Sequence, residues 1–304
     1  MQTKQQIQRL LASAGVSPNK RFGQYFLIDL NLMRLLVDSA NIRYSDIVLE
    51  VGCGTGSLTE ELAQKAGKVI VAELDATLAT IAGRHLAEKD NIQIINTDVL
   101  EGKNTIHNKV ADALKRARQE YSGRVMLVAN LPYGAASPLM LNLVTGPITA
   151  NNMYVTVQKE VAQRMNAGPA GKHYGTLSIF LAATGEVRIM RILKPSVFWP
   201  QPEVESAMVS FIRSHEKVSR IHNIEVFRAV VSLFMQHRRK MLKACARFAA
   251  DKLAVVHNWH VIFEDCAIDA HKRPEELSPE DYIALSNLCK TLFTTRRDRH
   301  ILHV

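Results

Sequence analysis

The sequence predicts an α/β protein built on one open parallel sheet of seven strands, followed by a smaller all-helical domain. Short β-branched and apolar runs alternate with helical stretches up to about residue 212. A glycine-rich turn follows the first of those runs, and the strand signal disappears after residue 213.

Along the chain, Ile7, Leu10, Leu11 and Ala14 share one helical face, and Gly15 follows where a left-handed cap ends a helix over 3–14. A second helix starts near Asp29, with Leu32, Leu35, Leu36 and Ala40 spaced as a buried stripe. The strands are Ile47–Val51, Val69–Ala72, Ile92–Ile95, Val125–Ala129, Met153–Val157, Val187–Ile192 and Ala207–Ile212. Helices fill the gaps at 57–65, 76–88, 106–120, 137–144, 158–166 and 174–183. Pro195, Pro200 and Pro202 crowd the loop between the last two strands, where fixed φ angles hold one excursion of the chain. Beyond it, Val226, Val230, Val231 and Phe234 form a helical stripe, and Ile283, Leu285, Leu288 and Leu292 a looser one. The organisation read from this pattern is an arm over 1–45, a core domain over 46–212 and a helical domain over 213–304.

The 304 residues carry 38 Lys and Arg against 29 Asp and Glu, a formal charge of +9. The excess is uneven: six basic and two acidic side chains in 1–45, sixteen of each in 46–212, and sixteen basic against eleven acidic in 213–304. A neutral core between basic ends is the charge pattern of a ligand-binding or catalytic domain whose flanks meet a polyanion. The basic clusters are Asn19-Lys20-Arg21, His237-Arg238-Arg239-Lys240 with Lys243 and Arg247, and Arg296-Arg297-Asp298-Arg299. Cys53, Cys245, Cys266 and Cys289 stand far apart without a paired spacing, so neither a disulfide scaffold nor a cysteine zinc site is expected. His257, His260 and Cys266 also lack metal-ligand spacing, and no metal is expected. With no signal-peptide pattern and no long apolar run, the reading is a cytoplasmic protein without a membrane partner, and a monomer is the default expectation where the sequence leaves the oligomeric state open.

The run Val48-Leu49-Glu50-Val51-Gly52-Cys53-Gly54-Thr55-Gly56-Ser57 is a strand, a glycine-rich turn and a helix start, which lets backbone approach a ligand closely. Its GxGxG spacing disfavours a dinucleotide site. The second strand ends in Glu73, where a carboxylate can take both ribose hydroxyls of an adenosine-containing ligand. Asp98, after the third strand, can read an adenine edge or simply cap a helix. The fourth strand ends in Asn130-Leu131-Pro132-Tyr133. An exocyclic amine is a poor nucleophile because its lone pair is shared with the ring, and two acceptors, a side-chain oxygen of Asn130 and a backbone carbonyl, can draw that pair toward a methyl donor. Tyr133 adds a stacking face for a base taken out of its helix.

Phe22-Gly23-Gln24-Tyr25-Phe26-Leu27, the GxGxG strand, Glu73, Asp98 and Asn130-Leu131-Pro132-Tyr133, in this order, resemble the ribosomal RNA adenine dimethyltransferase family. Gln158–Met165, Tyr174–Ser178, Pro195–Ala207 and His237–Lys240 are similar to further landmarks of it, so the resemblance spans about residues 18 to 290. It implies a Rossmann-like class I methyltransferase sheet with a helical C-terminal rRNA-binding domain. It also implies S-adenosyl-L-methionine held at Tyr25, Leu27, Gly52, Gly54, Glu73, Asp98 and Asn130, with Asn130 serving cofactor and substrate alike. Catalysis would rest on Asn130, Leu131, Pro132 and Tyr133, with Phe198, or its neighbour Trp199, closing the other side of the flipped adenine.

The implied reaction is dimethylation of two adjacent adenosines in a terminal loop of small-subunit rRNA, within the small ribosomal subunit or its precursor. Ser137-Pro138-Leu139, the Phe-Trp-Pro-Gln-Pro loop and the length of the helical domain look like that subgroup. The alternatives are the large-subunit enzyme of macrolide resistance and a non-catalytic assembly factor on the same fold. Three positions depart from the family pattern: Tyr25 where Asn or His is usual, Cys53 where Pro is, and Gly134 where Asn is common. The stretch Lys103–Arg118 is longer than usual and reads as a solvated helix or an added RNA contact.

Overall fold

The computed structural model describes residues 1–19, 23–102 and 105–289. Lys20, Arg21, Phe22, Lys103, Leu292 and the Arg296–Arg299 cluster lie outside the described residues. The chain divides into two compact units, Met1–Ala162 with Val187–Ile212, and Gln163–Glu186 with the residues from Arg213 onward.

In the first unit, α1 (Lys4–Ser13) starts at Thr3 with a reciprocal Thr3–Gln6 capping box and ends before Gly15, whose φ is +67°. The short β1 (Phe26–Leu27) leads into α2 (Leu30–Ala40), where Asp29 Oδ1 accepts from the Asn31 and Leu32 amides. Then come β2 (Ile47–Val51), α3 (Ser57–Ala63), β3 (Lys68–Glu73), α4 (Ala76–His85), β4 (Ile92–Asn96), α5 (Asn108–Glu120), β5 (Val125–Asn130), α6 (Ala136–Thr145), β6 (Asn152–Gln158) and α7 (Lys159–Met165). After α8 (Thr176–Thr184), β7 (Gly185–Leu193), β8 (Phe198–Trp199) and β9 (Ser206–Arg213) complete the strands.

All seven strands expected from the sequence join one sheet in the order β4-β3-β2-β5-β6-β9-β7. Strands β4, β3, β2, β5 and β6 run parallel, and β9 is antiparallel to β6. The sheet is therefore mixed at one side rather than wholly parallel. Strand β2 is buried along its whole length and β5 nearly so, while β4 and β7 at the edges are half exposed. This explains why the central strands read as near-continuous apolar runs, interrupted in β2 by Glu50. The chain moves outward from β2 to β4 and returns to start again at β5, so the carboxyl ends of β2 and β5 flank the switch point where open α/β sheets bind ligands. A separate ribbon of β1 and β8, with Leu27 opposite Phe198, had no signal in the sequence because each strand is two residues long.

The second unit contains α8, α9 (His215–Ser219), α10 (Ile224–Gln236), α11 (Leu242–Cys245), α12 (Trp259–Asp265) and a helix over 279–289. Helix α8, expected with the sheet domain, groups here instead. Its side chains are buried nearly all round, and Phe180 meets Phe227 of α10 edge to face at 5.3 Å. The stripe Val226, Val230, Val231 and Phe234 is buried as its spacing requires. Tyr174 and Tyr282 donate their hydroxyls to the carbonyls of Leu277 and Pro274, both at 2.8 Å, which satisfies two deeply buried phenols.

Candidate active site

The carboxyl ends of β2, β3 and β5 and the segment after β4 surround a cavity of about 550 Å³. Gly52 and Gly54 hold φ of +76° and +58° in the turn after β2. A Cβ on Gly54 would lie 2.6 Å from Cε1 of Phe26, and one on Gly52 would lie 3.1 Å from Cγ of Pro132. Both positions therefore need glycine, for conformation and for space. Glu73, the last residue of β3, is buried, and its Oε2 and Oε1 accept from the amides of Gly54 and Asp75 at 3.0 Å each. Burial raises its pKa against the pull of those two amides. Asp75 caps α4 through Oδ1 and takes the Gln24 side-chain amide on Oδ2 at 3.0 Å, tying the segment before β1 to the end of β3. Asp98 is exposed at the cavity wall, with Oδ1 accepting from the Leu100 amide at 2.9 Å.

Across the switch point, Asn130 ends β5. Its Nδ2 donates to the Tyr25 carbonyl at 2.7 Å, and its Oδ1 accepts from the Thr156 hydroxyl of neighbouring β6. A carbonyl can only accept, so the Tyr25 contact fixes which way the amide faces and makes Oδ1 its acceptor end. Leu131 is buried, with its amide donating to Thr156 at 3.1 Å. Among the described residues its carbonyl takes no hydrogen bond, whereas the Pro132 carbonyl accepts from the Ala135 amide. Tyr133 is half-buried, its hydroxyl 3.1 Å from Ser206 Oγ, and its ring stacks on Tyr25 with centroids 5.2 Å apart and planes 27° apart. Burial raises the Tyr133 pKa, so the phenol stays neutral through the physiological range.

A profile of the ribosomal RNA adenine dimethylase family matches residues 15–297. The chain belongs to that family. Among its relatives is the ribosomal RNA small subunit methyltransferase A of Geobacillus thermodenitrificans, 37% identical over 93% of this chain and 95% of that one. The protein of the same name from Staphylococcus aureus is 33% identical over 93% of each. In fold, this adenine dimethylase resembles a dimethyladenosine transferase from Plasmodium falciparum (TM-score 0.65, 23% identity, 86% of this chain and 96% of that one). It also resembles the 23S rRNA methyltransferase ErmE (TM-score 0.58, 21% identity, 87% of this chain and 99% of that one).

The dimethylase cavity brings together Tyr25, Leu27, Gly52, Gly54, Glu73, Asp98, Asn130, Pro132 and Tyr133, all expected at one site. It does not include Leu131, which is buried beneath it in the chain between Asn130 and Pro132, or Phe198. That ring is 3% exposed and packs with Leu27 in the core, while Trp199 turns the other way and stacks on Phe26 at 6.1 Å. Pairing of β8 with β1 causes this, because alternate residues of a strand point to opposite faces. Three contributors were not anticipated as site residues. Glu50 lines the cavity with Oε2 buried and without a hydrogen bond among the described residues. Thr156 orients Asn130, and Gln2 bonds Thr55 and Ser57 of the glycine turn. An acid inside an otherwise apolar strand was a readable signal for Glu50. Nothing local marked Thr156 or Gln2, which reach the site only through the fold.

Proposed function

We propose that this dimethylase transfers methyl groups from S-adenosyl-L-methionine to the exocyclic amines of two adjacent adenosines in a terminal loop of small-subunit rRNA. The observation that carries the reading is Asn130. Its amide nitrogen is pinned to the Tyr25 carbonyl, so its Oδ1 is the acceptor end of a side chain that lines the cavity at the switch point of the sheet. Methyl transfer belongs to the family, and the two bacterial relatives named for the small subunit direct the reading to that rRNA.

The cavity fits the donor on two counts: the glycine turn leaves a backbone cradle, and Glu50 Oε2 is a buried oxygen with no hydrogen bond among the described residues. Glu73 would take the ribose hydroxyls on the lone pairs its backbone bonds leave free. Asp98 and its neighbours would read the adenine edge, Glu50 would meet the ammonium group, and the Tyr25 backbone with Leu27 would line the remaining wall. The cofactor supplies an electrophilic methyl on a sulfonium. Asn130 Oδ1 and the Leu131 carbonyl would accept the two N–H bonds of the target amine and draw its lone pair out of ring conjugation. Pro132 fixes the backbone that presents this carbonyl. Tyr133 would hold the flipped base by stacking. No strong general base is needed, because methylation makes the amine acidic before its proton leaves to solvent. A second transfer then gives the dimethyl product.

The basic helical domain would bind rRNA phosphates in the small subunit or its precursor, with the enzyme working as a monomer. Among the described residues no helix is long and apolar enough to cross a membrane, and no group of His, Cys, Asp or Glu is arranged to hold a metal. The test is transfer of labelled methyl to undermethylated small and large subunits, followed by mapping of the modified adenines. Two dimethylated neighbours in small-subunit rRNA support the proposal. Label on the large subunit, or none on either with cofactor binding intact, overturns it.

A further inference from the structure

Tyr25 touches both ends of the Asn130–Tyr133 motif, by two different groups. Its backbone carbonyl accepts from Asn130 Nδ2 at 2.7 Å, and its ring lies on the Tyr133 ring at 5.2 Å between centroids. Tyr133 is itself held in place by its hydroxyl contact with Ser206, whereas the half-buried Tyr25 ring packs against the edge of the core and makes no side-chain hydrogen bond among the described residues. A base placed between two aromatic rings holds them about 7 Å apart, two van der Waals separations. At 5.2 Å the Tyr25 ring and an incoming base cannot share that face of Tyr133.

We propose that the Tyr25 side chain is an internal stand-in for the target base, covering the stacking face of Tyr133 until the adenine displaces it. The inference rests on the reading of Tyr133 as the surface that holds the flipped base. Displacement is a side-chain rotation only. The Tyr25 carbonyl keeps Asn130 oriented throughout, so the amine-binding acceptors stay in place while the ring yields. The exchange replaces one ring stack by another, and it makes the apparent affinity for the target the intrinsic affinity reduced by the fraction of molecules whose face is open.

The experiment compares Tyr25→Phe, Tyr25→Ala and Tyr133→Ala in the full chain. It measures KM for undermethylated small subunits, the fluorescence of an RNA fragment with 2-aminopurine at the target position, and S-adenosyl-L-methionine affinity by calorimetry. Tyr25→Ala should lower KM for the RNA about threefold to tenfold and brighten the unstacked 2-aminopurine at lower protein concentration. Tyr25→Phe, which keeps the ring, should not share the drop in KM, and cofactor affinity is measured in both variants because the Tyr25 backbone borders the donor cavity. An unchanged or raised KM in Tyr25→Ala, with Tyr133→Ala raising it, overturns the stand-in and leaves the base-stacking role of Tyr133 intact. A loss of cofactor affinity in Tyr25→Ala at unchanged KM overturns it as well, by assigning the ring to the cofactor. If Tyr133→Ala changes neither KM nor fluorescence, the stacking role fails and the stand-in with it.

Discussion

Asn130 works through the direction of one amide. Replacing it by alanine removes the acceptor proposed to meet the amine and frees the Tyr25 carbonyl, while the glycine turn and Glu73 are untouched. Asn130→Ala is expected to lower kcat by about 10²-fold or more, the usual loss on deleting one preorganised polar group, and a steady-state methyl-transfer assay checks it. Glu50 works through its burial, which pushes its carboxyl up to about 8, helped by the nearby Glu73 charge. Because the folded pKa lies above the unfolded 4.5, this group contributes stability that is full below about 4.5 and is lost as pH rises toward about 8. Glu73 shifts in the same direction. Thermal melts of the cofactor-free protein across this window should fall with pH, and Glu50→Gln should flatten the fall by on the order of 5 °C. The same variant should weaken cofactor binding if Glu50 meets the ammonium group.

The glycine turn between β2 and α3 depends on shape more than on any side chain. Gly54→Ala places a methyl 2.6 Å from the Phe26 ring at a φ of +58°, so the turn or the ring must move. We expect at least about tenfold weaker S-adenosyl-L-methionine binding by calorimetry. Gly83 provides the control: it lies inside α4, where an added Cβ meets nothing within 4 Å. Gly83→Ala should leave binding unchanged and gain about 0.5–1 kcal/mol in denaturant unfolding, because alanine is the better helix former. The ribbon of β1 and β8 acts in the opposite sense, since its two-residue pairing decides that Phe198 is buried and Phe26 lies over the turn.

The two units present different surfaces. The first carries the cavity, and the second displays Arg239, Lys240, Lys243 and Arg247 as exposed cations. Each phosphate neutralised releases counterions, so rRNA affinity should fall steeply with salt. Reversing Arg239 and Lys243 to Glu should reduce the slope of log affinity against log salt by about two, provided each meets one phosphate. Cofactor affinity should not change, because neither residue lines the cavity. Filter binding across a salt series, with calorimetry for the cofactor, separates these effects.

Periodicity was enough to place the seven strands, α1 with its Gly15 cap, the stripe of α10 and the order of Gly52, Glu73, Asp98 and Asn130, because alternation, helical spacing and glycine turns are local properties of the chain. Those residues also share one cavity, since every one follows or ends a strand at the same edge of the sheet. Other features come from pairs distant in sequence. Thr156 faces Asn130 only because β6 lies beside β5, Phe198 leaves the site only because β8 pairs with β1, and α8 joins the helical unit because Phe180 meets Phe227. The stacking of Tyr25 on Tyr133 is of the same kind: a contact between residues 108 positions apart, which follows from close packing in three dimensions and leaves no local pattern.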